Sequence, residues 1–149
     1  MTPKERAERS AQGMWRTDGA SQWLGMSLES VDEGTAIMSL TVEQHHCNGH
    51  GICHGGIIFS LADSTFAFAC NSRNKSTLAQ HNSITYLAPS RLNDRLTATA
   101  TEVSLTGRSG IYDVRVTNQE GETIAEFRGL SRTISGQLFD ETTRGGIPK

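Results

Sequence analysis

Asp63 stands in the middle of an apolar run that covers residues 55–72 and opens on Gly55 and Gly56. The length of the run, its alanine content and its Gly-Gly start predict a helix of four to five turns. On a helix, Phe59, Phe66 and Ala67 share the face of Asp63. A carboxylate there is costly to bury unless it is paired or functional. It either accepts backbone hydrogen bonds from a neighbouring loop or acts as a catalytic carboxylate whose pKa the apolar setting raises. The glycines also carry two readings. They are plain turn chemistry at a helix start, or they let a ligand approach unpaired first-turn N–H groups at the positive end of the helix dipole, a place for an oxyanion.

Spacing separates these features. Eight residues at a helical rise of about 1.5 Å put Asp63 about 12 Å along the axis from Gly55. An oxyanion donor and a base that act on one carbonyl must each lie within about 3 Å of their atoms. One chain struggles to supply both. Two antiparallel helices across a twofold axis bring Gly55 of one copy to Asp63 of the other. A helix apolar nearly all round also asks for a partner on its exposed face.

The segment just before the run, residues 44–54, is rich in Gly and His. Asn48 offers an amide to a carbonyl or a water, or is simply the first residue of an Asn-Gly turn. His45, His46, Cys47, His50, Cys53 and His54 were weighed as metal ligands, but their spacing fits no standard zinc or haem pattern. No metal site is expected. Cys53 or Cys47 beside His54 offers a thiol nucleophile as an alternative. Ser60 and Ser64 lack a Gly-x-Ser-x-Gly elbow, which argues against serine hydrolase chemistry.

The elements that must hold these residues are legible as well. Charged residues alternate with Ala and Met at the start, which predicts a helix over about 3–19, with Trp23, Leu24 and Met26 pinning its end to the core. Strands are expected near 27–32 and 35–43 around Asp32-Glu33-Gly34. Four more follow the helix, near 77–88, 94–105, 109–118 and 122–134, with hairpin turns at Gly107-Arg108 and Glu120-Gly121. The tail from about 136 reads as loose. This order predicts an α+β fold, one antiparallel sheet wrapped around a single central helix, over one domain at 1–149.

Composition limits the function classes. The chain has 149 residues and a net charge of -2, so it carries no overall basic footprint for nucleic acid or an anionic membrane. Its polar start has no apolar signal core, and no stretch is long enough to span a bilayer, so a cytoplasmic protein is expected. Three cysteines, an odd count, read as free thiols.

The run Asn48-Gly49-His50, then Cys53-His54-Gly55-Gly56, Phe59-Ser60-Leu61-Ala62-Asp63, Phe66-Ala67 and Ala69-Cys70-Asn71-Ser72, closely resembles the phenylacetic acid degradation thioesterases of the hotdog superfamily. Tyr86-Leu87-Ala88-Pro89, Gly110-Ile111-Tyr112-Asp113-Val114 and Phe127-Arg128-Gly129 are similar too, so the resemblance spans about 20–136. It implies hydrolysis of acyl-coenzyme A without metal or cofactor, by a homodimer that assembles into a homotetramer. It places the catalytic carboxylate on Asp63, the oxyanion donor on the Gly55 N–H and the carbonyl- or water-placing amide on Asn48, with His54 shaping the pocket. Gly56, Phe59, Phe66, Ala67 and Arg108 are expected to contact substrate, Phe68 and Trp23 being further aromatic candidates. Phenylacetyl-CoA and its hydroxylated forms are the substrates that the resemblance implies, with medium- or long-chain acyl-CoA as an alternative. Many relatives carry Arg where this chain has Ala88, which leaves Arg91, Arg108 and Arg128 as substitutes for holding phosphates. Some relatives place a water-orienting Ser near Ala79, and this chain has none at that position. Two rival classes remain, a non-catalytic acyl-CoA-binding hotdog protein and a hydratase or dehydratase that uses His54.

Overall fold

A computed structural model describes residues 1–141. Two helices, α1 (Pro3–Trp15) and α2 (Gly19–Trp23), lead into β1 (Ser27–Asp32) and β2 (Thr35–Thr41). After a 3-10 turn at Gln44–His46 comes the central helix α3 (Gly55–Cys70). Four strands complete the fold: β3 (Thr77–Tyr86), β4 (Arg95–Thr106), β5 (Ser109–Thr117) and β6 (Thr123–Thr133). All six strands pair antiparallel in the order β1-β2-β4-β5-β6-β3. The expected α+β sheet around one central helix is therefore the fold observed.

Period-2 alternation explains why the sheet has a face for α3. Ala36, Met38 and Leu40 on β2, Leu96, Ala98 and Ala100 on β4, and Tyr112, Val114 and Val116 on β5 are all buried. Their neighbours along each strand are mostly polar and face away. Leu61, Ala62, Phe66 and Ala69 of α3 close the core from the other side. Close packing here leaves no room on one strand: a Cβ at Gly129 would lie 2.7 Å from the Phe66 ring. The hairpin turns use left-handed glycines, with φ of +77° at Gly34, +60° at Gly107 and +79° at Gly121.

Several expectations need correction. The N-terminal helix is two helices, because Asp18 starts a new one by accepting from Ser21 N–H at 3.0 Å. Met26 is buried and Leu24 packs on the core, but Trp23 is 79 % exposed and pins nothing. The central helix stops at Cys70 rather than 72, where Asn71 caps it: its Nδ2 donates to Ala67 O at 2.9 Å. The start of the tail is not loose. Asn74 Oδ1 accepts from Leu138 and Phe139 N–H, Arg6 pairs with Glu141 at 3.0 Å, and Arg9 lies over the Phe139 ring. The rest of the tail lies outside the described residues.

Candidate active site

His54 caps α3. Its Nδ1 accepts the Gly56 N–H at 2.9 Å, while its backbone O accepts the Ile57 N–H at 2.9 Å. Two of the first-turn donors are thereby used. The Gly55 N–H makes no hydrogen bond within the described residues. It is thus left at the positive end of a 16-residue helix. The need for glycine at 55 has a local cause: a Cβ would lie 3.1 Å from Tyr86 Cζ. Tyr86, on β3, donates its hydroxyl to Gly55 O at 2.8 Å and so fixes the peptide of the helix start.

Asp63 lies half-buried, one α3 stripe away from full burial. Asn82 of β3 donates from Nδ2 to Asp63 Oδ1 at 2.9 Å. Desolvation by the surrounding apolar side chains raises the Asp63 pKa above the usual aspartate value, and the Asn82 bond partly offsets this by favouring the carboxylate. Asn82 Oδ1 is itself buried and accepts no hydrogen bond from the described residues. The reading of Asp63 as a loop cap does not hold, because no backbone N–H among the described residues donates to its side chain. Sequence reasoning missed Asn82 and Tyr86. The signal was available only as period-2 position: residues 82, 84 and 86 alternate onto the β3 face toward α3, opposite Gly129, Phe127 and Ala125 of β6.

The loop before α3 is orderly. Asn48 Oδ1 accepts from His50 N–H at 2.9 Å and Ile52 N–H at 3.3 Å, so the turn reading of Asn48 is met by its oxygen. Asn48 is exposed, and its Nδ2 makes no hydrogen bond among the described residues. His46 anchors the loop. Its Nδ1 accepts from Glu43 N–H at 2.9 Å and its Nε2 lies 2.7 Å from Leu24 O. Glu43, His45 and His46 offer ligand atoms within 4.8 Å of one another. Both His46 nitrogens are nonetheless engaged in holding the loop, so the cluster reads as a structural cap.

The other expected residues divide. Phe59 is half-buried and packs edge-on against Phe127 at 5.5 Å, on the face toward β6. Phe66 and Phe68 are core, each 1 % exposed, and line no open surface. Gly56 is exposed beside His54. Ala67 is half-exposed and one helical turn from Asp63. Arg108 sits in the β4–β5 turn, where its O accepts from Thr133 N–H. Along β6, Thr133 is eight residues from Ala125, the partner of Tyr86, which is about 26 Å in a strand. Within one chain, Arg108 is therefore remote from Gly55. Arg128 is held by Asp113 through two bonds, at 2.7 and 2.9 Å. Arg91 is exposed beside a cavity of about 320 Å³ whose walls include Cys53, Gly55, Ile58, Tyr86 and Ala88. A larger groove of about 660 Å³, between α1 and β1, holds none of the expected site residues.

A central helix wrapped by an antiparallel sheet, with a free N–H at the helix start and a half-buried carboxylate two turns on, defines the class. The thioesterase superfamily model matches residues 50–125, which span the end of the loop, α3, β3 to β5 and the start of β6. The chain belongs to the thioesterase superfamily. It is 40% identical to acyl-coenzyme A thioesterase PaaI of Escherichia coli over 136 residues, 91% of this chain and 97% of that one. A solved structure of the E. coli PaaI protein, from the phenylacetic acid degradation operon, superposes with a TM-score of 0.90 over 91% of this chain and 99% of that one. Human acyl-coenzyme A thioesterase 13 is 31% identical over 69% of this chain and 76% of its own. A Streptococcus mutans protein solved with acetyl CoA bound is 26% identical, with a TM-score of 0.73 over 76% of this chain and 91% of that one.

Proposed function

We propose that this protein hydrolyses acyl-coenzyme A thioesters to the free acid and coenzyme A, with Asp63 as the acid/base residue and the Gly55 N–H as the oxyanion donor. One observation carries the reading: a half-buried carboxylate in an apolar helix, pKa raised, with an amide of β3 holding one of its oxygens. A structural aspartate gains nothing from such a place; a base gains a pKa nearer the working pH. The kinship with PaaI and thioesterase 13, and the acetyl CoA held by the S. mutans protein, support acyl-coenzyme A as the substrate. Coenzyme A enters as part of that substrate, and the reaction needs no metal or other cofactor.

The unpartnered Oδ1 of Asn82 favours a water route. A water that donates one proton to Asn82 Oδ1 and the other to Asp63 points its lone pair away from both, at the thioester carbon. Asp63 takes the proton as the C–O bond forms. The Gly55 N–H holds the oxyanion, the C–S bond then breaks, and coenzyme A leaves as a thiolate that is reprotonated. Direct attack by Asp63 to give a mixed anhydride is the competing route.

Two copies complete the site in this reading. β3 is an edge strand bonded to β6 on one side, and Leu78 and Leu87 are exposed beside its free edge. Pairing two such edges removes an exposed edge and sets the two α3 helices antiparallel. Gly56, Ser60, Asp63 and Ala67, which lie on a partly open stripe of α3, then face the partner. Assembly of two dimers into a tetramer follows the family resemblance alone, and the phenylacetic acid degradation operon of the E. coli protein supports phenylacetyl or hydroxyphenylacetyl groups as the acyl part. A cytoplasmic setting fits the chemistry, and no helix among the described residues is long and apolar enough to cross a membrane.

The test is a panel of acyl-CoAs, from phenylacetyl to long-chain, followed by thiol release. Cleavage of phenylacetyl-type thioesters at the highest kcat/KM supports the reading, and a preference for long chains moves the substrate class. Binding of acyl-CoA with no cleavage overturns it in favour of a binding protein. A second expectation concerns Asn82. Asn82→Ala removes the donor that favours the carboxylate, so the Asp63 pKa rises further. The acid limb of the kcat/KM profile shifts to higher pH. The resulting loss is several-fold near neutrality and narrows as pH rises. An acid limb that stays where it was would mean that the Nδ2 bond does not tune Asp63, and a loss equal at every pH would leave Asn82 only the water-holding role of its Oδ1.

A further inference from the structure

Cys47 and Cys53 oppose each other in the short antiparallel ladder that closes the loop before α3. His54 N–H donates to His46 O at 2.8 Å, and Asn48 N–H donates to Ile52 O at 2.8 Å. These bonds flank the two cysteines on either side, so the pair itself exchanges no backbone bond. Such a non-hydrogen-bonded pair is the narrow kind, with Cα atoms about 4.5 Å apart and both side chains on one face. Disulfides span Cα separations of about 4.4–6.8 Å. The backbone is thus already at bridging distance while both thiols are free. The thiols now rest on separate carbonyls, Cys47 Sγ on Glu43 O at 3.6 Å and Cys53 Sγ on His54 O at 3.8 Å. Turning the two side chains brings the sulfurs together with no new path for the loop.

We infer that Cys47 and Cys53 form a site of reversible oxidation, closed to a disulfide by exchange with a small disulfide such as oxidised glutathione, and that closing it lowers activity by altering the catalytic loop. The ring so formed encloses residues 48–52, including Asn48, and its second cysteine immediately precedes His54 and Gly55. Only the activity half of this inference rests on the thioesterase reading; the bond itself does not.

The exchange balances in two steps. The Cys47 thiolate, half-exposed at the surface, attacks one sulfur of glutathione disulfide. That S–S bond breaks, one glutathione leaves and takes up a proton, and a Cys47–glutathione disulfide remains. Cys53 then loses its proton to solvent and attacks Cys47 Sγ, expelling the second glutathione. Two protein thiols are oxidised and one small disulfide is reduced to two thiols. Burial pushes the Cys53 thiol up to about 11, which makes the second step the slow one. Once bonded to Cys47, Cys53 Sγ leaves His54 O, whose residue caps α3 and precedes the oxyanion donor.

The experiment treats the full chain with oxidised glutathione and follows intact mass. An adduct of about 305 Da should appear first and give way to a species about 2 Da lighter than the starting protein, with a 47–53 crosslink in its digest. Cys53→Ser should stop at the adduct, Cys47→Ser should show neither species, and Cys70→Ser should behave as wild type. The oxidised protein, assayed by loss of thioester absorbance, should turn over several-fold more slowly and recover with dithiothreitol. Wild type that stops at the adduct, or a crosslink that uses Cys70, overturns the site. A crosslinked protein of undiminished activity overturns its control of the loop. Absence of any thioesterase activity in the reduced protein counts against the function proposed above and leaves the mass result to be read alone.

Discussion

Replacing Asp63 by Asn should leave a folded, acyl-CoA-binding protein whose kcat falls by about 10³-fold, within the range that a positioned general base supplies. The substitution is nearly isosteric. Asn82 can still donate to the oxygen of residue 63, so the contact at 2.9 Å between α3 and β3 survives. What disappears is the only charged side chain of α3. KM should change little, because the carboxylate acts on the reacting centre and not on the remote coenzyme A. Activity within ten-fold of wild type would sink the assignment.

Stability should move the other way. The folded state raises the Asp63 pKa, so it holds that proton more tightly than the unfolded chain does. A group of this sign contributes stability that is fully present below its unfolded pKa, and that stability is lost as pH rises through the higher folded value. At neutral pH the ionised Asp63 is therefore a cost to the fold. Asp63→Asn removes the ionisation, and its Tm near pH 7 should equal or exceed that of wild type, the difference shrinking toward pH 4. The catalytic limb follows from the same shift: turnover needs the carboxylate, so kcat falls as pH drops through a value above that of an ordinary aspartate. A variant both inactive and clearly less stable would mean that Asp63 supports the fold instead.

Most of the architecture was readable because two periods alternate cleanly along the chain. The 2-residue period of Leu96, Ala98 and Ala100, and of Tyr112, Val114 and Val116, marks strands with one face to the core. The unbroken apolar run from Gly55 marks the helix they surround. What failed to show was contact between distant elements. Nothing in the sequence near Asn82 says that its amide reaches Asp63, because that pairing depends on β3 lying next to β6 at the sheet edge and on a register shift between Ala79 and His81. The position near Ala79, where some relatives carry a Ser, lies on the other side of that bulge from Asn82. Tyr86 was read as one end of a strand, although its hydroxyl secures the helix start. Trp23 was misplaced because an aromatic residue looks like an anchor in one dimension, whereas a five-residue helix can turn it to solvent. Asn48 shows a different case: its turn reading is met by Oδ1, which accepts from His50 and Ile52 N–H, and this leaves its Nδ2 for the substrate role that the resemblance implies.

Mixing two dead variants should restore activity. Asp63→Asn retains a sound Gly55, and Gly55→Ala retains a sound Asp63. A methyl at 55 meets the Tyr86 ring at 3.1 Å, so the ring gives way by a few tenths of an ångström and its hydrogen bond to Gly55 O, which fixes the peptide beside the oxyanion donor, is disturbed, at an expected loss of about 10²–10³ in kcat. Each variant alone should then be nearly silent. If Gly55 of one copy works with Asp63 of the other, a mixed dimer holds one site with both defects and one with neither. Random reassortment makes half the dimers mixed, with one of two sites intact, and so returns about a quarter of wild-type activity. If both residues act within one chain, every site in every dimer carries one defect and mixing returns nothing. The distance along α3, about 12 Å between two groups that must meet one carbonyl, favours the first outcome. The variants need only be unfolded and refolded together, with each refolded alone as a control. A mixture no more active than its parts, in a sample shown by tagged copies to contain mixed dimers, would place the whole reaction within one chain and end the two-copy site.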